Sequence, residues 1–172
     1  MIDIGGSHGS NSVALCRRYP ELSAVVLDLP EAVQQAAPIL AKEGMGERVV
    51  HRAGNALTAD LGVEQWDLIL IANLIQNFDE AGNRDLFRRA ARSRRPGGVL
   101  VVQESFRPST PESADQSAVL LDFVFAMTSA SQTWSEAEIA GWQQEAGLVP
   151  REPVYFSDSR DFGQQAAVKP PG

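Results

Sequence analysis

Asp3-Ile4-Gly5-Gly6-Ser7-His8-Gly9 is the stretch that decides the fold. A short apolar strand, residues 2–4, runs into three glycines and then into Asn11 to Arg18, a helical stretch ended by Pro20. Strand, glycine turn and helix in that order bring bare backbone and a helix N-terminus to one place, which suits a nucleotide-like ligand. The dinucleotide fingerprint requires glycines at relative positions one, three and six. Ser7 and His8 occupy the third positions counted from Gly5 and Gly6, which argues against a nicotinamide or flavin cofactor and the reductase such a cofactor implies. An acid followed by Gly5 and Gly9 suits instead a nucleoside carrying an amino-acid tail and no pyrophosphate.

Outward from this loop, short β-branched runs alternate with amphipathic stretches, the pattern of a mostly parallel sheet with helices on both faces. Ala24-Val25-Val26-Leu27-Asp28 and Trp66-Asp67-Leu68-Ile69-Leu70-Ile71 are strands. Arg48 to Arg52 is a third, and Val99 to Val102 follows a Pro96-Gly97-Gly98 turn. Pro30 opens a helix that stops at Gly44, Asp79 caps one carrying Leu86, Phe87, Ala90 and Ala91, and Ser135-Glu136-Ala137-Glu138 is a capping box. Val154 to Phe156 and Ala166 to Lys169 are expected to form a terminal hairpin on the sheet edge. With 172 residues the chain suffices for one domain, taken as residues 1–172, and not for two ordinary ones. Met1-Ile2-Asp3-Ile4 leaves a first strand shorter than the usual five or six residues, so upstream sequence is expected to be missing.

Composition removes several function classes. The net charge of −7 opposes binding to a nucleic-acid backbone or an anionic membrane. The single cysteine, Cys16, excludes an internal disulfide and a cysteine cage, and its neighbours Val13, Ala14 and Leu15 mark it as core. With His8 and His51 the only histidines, no metal site is expected. No signal peptide or apolar run near ~20 residues is visible, so a cytoplasmic location is expected.

Asp28 ends the second strand, where a carboxylate accepts hydrogen bonds from both hydroxyls of a ribose; capping of the Pro30 helix is its structural alternative. His8 either touches the cofactor, caps the first helix or substitutes for a base. His51 reads as structural.

Together with Val26-Leu27-Asp28-Leu29-Pro30, Gly54-Asn55, Pro96-Gly97-Gly98 and Val102-Gln103-Glu104, the glycine loop resembles the catalytic domain of the plant and bacterial small-molecule O-methyltransferases. The resemblance covers essentially the whole chain, and the aspartate-leucine-proline step is its most specific part. It implies a Rossmann-like class I methyltransferase sheet of seven strands, the last antiparallel, with S-adenosylmethionine as methyl donor. Gly5, Gly6 and Gly9 would pass along its amino-acid portion and ribose, Asp28 would take the ribose hydroxyls, and Leu29 would lie against the adenine. Asn55 stands where the family has an acid that meets the adenine amine. The family's N-terminal helical domain, which dimerises, is absent, so a homodimer is expected only of a longer form.

At the catalytic positions the chain departs from the family pattern. Gln76 falls where a histidine removes the proton from the substrate hydroxyl, and glutamine cannot abstract a proton. Glu104 matches one of the two carboxylates that hold that histidine, the second falls near Thr133, and Ala72 replaces a lysine. Gln76 and Glu104, with Asn77, are therefore the candidate acceptor-site residues. Phe123, Phe125, Met127 and Trp134 lie in the region that lines the acceptor pocket in the family, although core packing of Leu120, Leu121, Val124 and Phe125 is expected to explain most of that stretch. These residues point to O-methylation of a small-molecule acceptor, with an aromatic one preferred; a cofactor-binding homologue without catalysis is the alternative.

Overall fold

A computed structural model of the chain describes residues 1–107, 116–129, 131–156 and 162–169; within 116–122 only the Leu120 side chain is described. Strands β1 (Ile2–Ile4), β2 (Ala24–Asp28), β3 (Val49–Ala53), β4 (Trp66–Ala72) and β5 (Arg94–Ser105) lie parallel. The sheet order is β3-β2-β1-β4-β5-β8-β6, where β6 is Val149–Pro150 and β8 is Phe162–Val168. Strand β8 runs antiparallel to β5, and β7 (Val154–Tyr155) pairs with β8 off this path. The resemblance implies seven strands; β7, two residues long, makes an eighth.

Side chains of β4 alternate between two cores, as a period of two requires. Ile69 and Ile71 join Ile2, Ile4, Phe87, Ile139 and Trp142 on one face. Leu70 and Ala72 join Val13, Cys16, Val26 and Leu40 on the other. Helices α1 (Ser10–Arg18) and α2 (Pro30–Lys42) thus cover one face, and α3 (Glu80–Ser93) and α5 (Glu136–Glu145) the opposite one. Cys16 is fully buried. Phe87 meets Trp142 edge-on at 5.5 Å, and Trp142 meets Trp134 at 4.9 Å, a geometry that aligns ring edges with ring faces. Asp79 caps α3 by accepting from the Gly82 amide, and Ser135 with Glu138 forms the expected capping box of α5.

Four expectations are corrected. Pro96-Gly97-Gly98 turns inside β5 rather than before it: Trp66 pairs with Arg94 and Leu68 with Val99, so the residues between bulge out of the ladder, with Gly97 at φ 78°. The buried Arg94 guanidinium donates to the carbonyls of Arg95 (2.8 Å) and Gly98 (2.6 Å), satisfying backbone that the irregularity turns out of the ladder. The terminal pair forms antiparallel as expected, but only β7 lies on the edge, since β8 is inserted between β5 and β6. Arg48 belongs to a short 3-10 turn, Gly46–Arg48, and its Nη2 donates to the carbonyls of Cys16, Tyr19 and Leu22 at the end of α1.

The fourth concerns α4 (Gln116–Ser129). Leu120 and Val124 are exposed and Phe125 is only half-buried, so they do not form core; the Leu121 side chain lies outside the described residues. An apolar run is buried only where another layer packs on it; α4 meets the 3-10 turn Ile75–Asn77, but Leu120 and Val124 stay exposed. No described helix is long and apolar enough to cross a membrane.

Candidate active site

Strand β1 pairs with β2 on one side and β4 on the other, so the loops leaving β1 and β4 diverge and open a crevice at the carboxyl ends of the strands. The candidate residues gather along this edge. Residues 5–9 follow β1, Asp28 and Leu29 end β2, Asn55 follows β3, Gln76 follows β4, and Glu104 sits near the end of β5.

The glycine loop is anchored by Gly5 N to Leu27 O (2.7 Å) and Gly9 N to Gly6 O (2.8 Å). Asp3 is fully buried beneath it, and a Cβ added to Gly6 would lie 2.5 Å from the Asp3 carboxyl carbon. Only a glycine lets the loop pass that close. Asp3 Oδ2 accepts from Ser12 Oγ (2.9 Å), while the buried Oδ1 has no partner among the described residues. Burial raises the Asp3 carboxyl to about 6, with the Ser12 bond opposing and the Asp28 charge adding to the shift.

Asp28 is half-buried. Its Oδ2 accepts from the Ser7 amide and its Oδ1 from the Leu29 amide, each at 2.8 Å. It does not cap α2, whose N-cap is Leu29 with no side-chain bond. Ser7 has a left-handed φ of 50°, and its carbonyl lies 2.8 Å from His51 Nε2. His8 is exposed and does not cap α1, whose N-cap is Gly9 with no side-chain bond. Leu29 presents an exposed apolar side chain beside the carboxylate. Asn55 is exposed, and its Oδ1 already accepts from the Leu57 amide (2.8 Å) in a local turn. That bond uses one of the two lone pairs of the oxygen.

Across the crevice, the chain after β4 is clamped from both sides. Glu104 Oε1 accepts from the amides of Leu74 (2.6 Å) and Ile75 (3.1 Å), and the Ile75 carbonyl accepts from Asn83 Nδ2 (2.9 Å) and Trp134 Nε1 (3.0 Å). Burial raises the Glu104 carboxyl to about 8, against the pull of those two amides, so it is largely protonated at neutral pH. Gln76 sits in the resulting 3-10 turn, Ile75–Asn77, only 8% exposed, and its Oε1 has no hydrogen-bond partner among the described residues. Asn77 donates to the Leu74 carbonyl and accepts from Ser129 Oγ at 3.3 Å. Thr133 is buried, as is Trp134, which belongs to the core; Phe123 and Met127 of α4 are exposed. The two halves touch, for a Cβ on Gly5 would lie 2.7 Å from Leu74 Cδ1.

Sequence reasoning missed Asn83 as a buttress of this turn. Its signal was present: Asn83 stands at helical spacing with the core residues Leu86, Phe87 and Ala90, and a polar side chain on a buried face needs partners.

Strand order, an antiparallel strand beside β5, and a glycine loop with an acid at the end of the next strand define a Rossmann-like α/β domain of the methyltransferase kind. The chain belongs to the O-methyltransferase domain family, which matches residues 1–149. It is 27% identical over 169 residues to the 3-hydroxy-5-methyl-1-naphthoate 3-O-methyltransferase of Streptomyces sahachiroi, covering 98% of this chain and 48% of that protein. Identity is also 27%, over 149 residues, to the O-demethylpuromycin-O-methyltransferase of Streptomyces alboniger, covering 86% of this chain and 39% of that one. Among solved structures it is similar to the S-adenosylmethionine-dependent methyltransferase SibL in its apo form, with TM-score 0.80, 27% identity, and coverage of 99% and 50%. An O-methyltransferase family 2 protein from Planctomyces limnophilus in complex with apigenin shares the fold, with TM-score 0.86, 21% identity, and coverage of 98% and 50%. The chain spans half or less of the length of each of these relatives.

Proposed function

We propose that this chain is the S-adenosylmethionine-binding, catalytic domain of a small-molecule O-methyltransferase acting in the cytoplasm. The observation that carries the reading is the Asp28 carboxylate. It is held by two backbone amides at the rim of the crevice, beside an exposed Leu29 and a glycine loop that passes directly over Asp3. These residues fit the donor. Asp28 has lone pairs left for the two ribose hydroxyls, Leu29 offers an apolar surface to the adenine, and Gly5, Gly6 and Gly9 leave room for the amino-acid portion. The unpartnered Asp3 Oδ1 beneath Gly6 supplies an acceptor on that side. Asn55 borders the adenine; its Oδ1 accepts one bond from the Leu57 amide and keeps a lone pair for the adenine amine.

The chemistry supplied by the bound cofactor is a methyl group activated on a sulfonium. The protein's part is then to align an acceptor oxygen, and good orientation is worth ~7–11 kcal/mol. Gln76 presents a buried carbonyl oxygen that accepts a hydrogen bond from the acceptor's hydroxyl but takes no proton. Glu104 does not face the acceptor as a free base; its Oε1 holds the turn that carries Gln76. An acceptor that ionises readily, such as an acidic phenol, suits this arrangement, and the hydroxynaphthoate in one relative's name and the apigenin bound to another protein of this fold agree with it. A longer form that includes an N-terminal domain would be the dimerising one.

Gln76 also favours a second reading, a homologue that binds the cofactor without catalysing transfer. Calorimetric titration with S-adenosylmethionine and S-adenosylhomocysteine tests the shared claim, and absence of binding to either overturns both. Transfer of labelled methyl to a panel of phenols separates them: turnover supports the enzyme, and binding without turnover on any acceptor supports the accessory role.

A further inference from the structure

We infer that His51 is a positioning residue for the cofactor, acting through Ser7 on Asp28; the inference rests on the cofactor reading above. Ser7 is the only residue of the loop outside glycine with a left-handed backbone, φ 50°. For a residue with a Cβ that conformation is unfavourable and persists only where surroundings impose it. Here both polar groups of Ser7 are held. Its amide donates to Asp28 Oδ2 and its carbonyl accepts from His51, each at 2.8 Å. A carbonyl only accepts, so the imidazole carries a proton on Nε2.

The placement follows from the sheet. Val49 and His51 are two residues apart on β3 and share one face; His51 is in register with Val26 of β2. Gly9 packs on that same surface, since a Cβ there would lie 3.2 Å from Val26 Cγ2 and 3.9 Å from Val49 Cγ1. The loop therefore crosses from β1 over β2 toward β3, and His51 meets it from the far side. Asp28 lies between, with one of its two amide donors supplied by Ser7. Without the His51 bond, Ser7 relaxes from its strained conformation, its amide leaves Oδ2, and the carboxylate loses the orientation that presents it to the ribose.

The test compares His51→Phe, His51→Gln and His51→Asn with the natural chain, measuring Kd for S-adenosylhomocysteine and the thermal midpoint without ligand. A glutamine amide reaches as far as Nε2 and donates; an asparagine amide is too short. Expected are a Kd raised about tenfold for Phe and Asn, as for loss of one hydrogen bond, and a Kd within about threefold of the natural chain for Gln. In an Asp28→Asn background, His51→Phe should add nothing, because the group it positions has already been altered. In the ligand-free natural chain, the nitrogen resonances of His51 should show a proton on Nε2. A folded His51→Phe chain with unchanged Kd, or a His51 without that proton, overturns the proposal. If the natural chain itself binds neither S-adenosylmethionine nor S-adenosylhomocysteine, the cofactor reading falls and this inference with it.

Discussion

Glu104 Oε1 lies 2.6 Å from the backbone nitrogen of Leu74, thirty residues earlier in the chain, and this contact fixes the turn on which Gln76 is carried. The carboxyl is buried and raised from its ordinary 4.5 to about 8. The folded chain therefore binds its proton more tightly than the unfolded chain does. That contribution to stability is complete below about 4.5 and is lost as pH rises to about 8. Glu104→Gln keeps an oxygen for both amides and removes the titration. Urea midpoints should show the natural chain losing ground to Glu104→Gln between pH 5 and 8, by an amount on the order of a few kcal/mol. A difference that stays flat over this range counts against a buried, protonated Glu104.

Gly6→Ala should destabilise the fold by about 1–3 kcal/mol, as overpacking does, and weaken binding of S-adenosylhomocysteine at least about tenfold. The new methyl would meet the Asp3 carboxyl at 2.5 Å, and that carboxyl is fully buried and tethered by Ser12. Gly141→Ala serves as the contrast. A Cβ there meets nothing within 4 Å and the residue lies inside α5, so about 0.5–1 kcal/mol of stabilisation is expected. Thermal melts and ligand titrations of the two variants decide it; equal behaviour would contradict the close passage of the loop.

Gln76 carries a buried oxygen with no partner among the described residues, an arrangement that lowers stability. Gln76→Leu should be as stable as the natural chain or up to about 2 kcal/mol more so, with the Kd for S-adenosylhomocysteine unchanged and methyl transfer reduced. Gln76→His should raise transfer to weakly acidic phenols more than to acidic ones, because only the former need a base. Equal gains across phenols of different acidity would argue that the histidine acts by packing.

Phe123→Glu and Met127→Lys should change stability by less than about 0.5 kcal/mol, since both side chains are largely exposed, at 62% and 72%. They should also lower self-association, because with Leu120 they form an apolar patch on α4. Chemical denaturation and sedimentation velocity check the two halves separately. A loss of several kcal/mol would show that this face is covered within the chain.

Much of the fold was legible because its information is local. Parallel strands buried on both faces read as unbroken apolar runs, as in residues 24–27 and 68–72, and a glycine loop between strand and helix is a contiguous signal. The proposed donor half, from Gly5 to Leu29, was legible for the same reason. The acceptor half rests on pairs that lie far apart in the chain, Glu104 with Leu74 and Trp134 with Ile75, and no window of sequence contains both partners.

The residues by themselves determined that this is an α/β chain with a glycine loop between its first strand and first helix, and the resemblance they carry places Gln76 where the family has its base. Tertiary structure alone decided that Asp3 is buried under Gly6, that His51 and Asp28 hold the two backbone groups of Ser7, and that the apolar α4 faces outward. Hydrogen-bond geometry and burial depend on what packs from elsewhere in the chain, so periodicity and composition, which weigh neighbours in sequence, do not carry them.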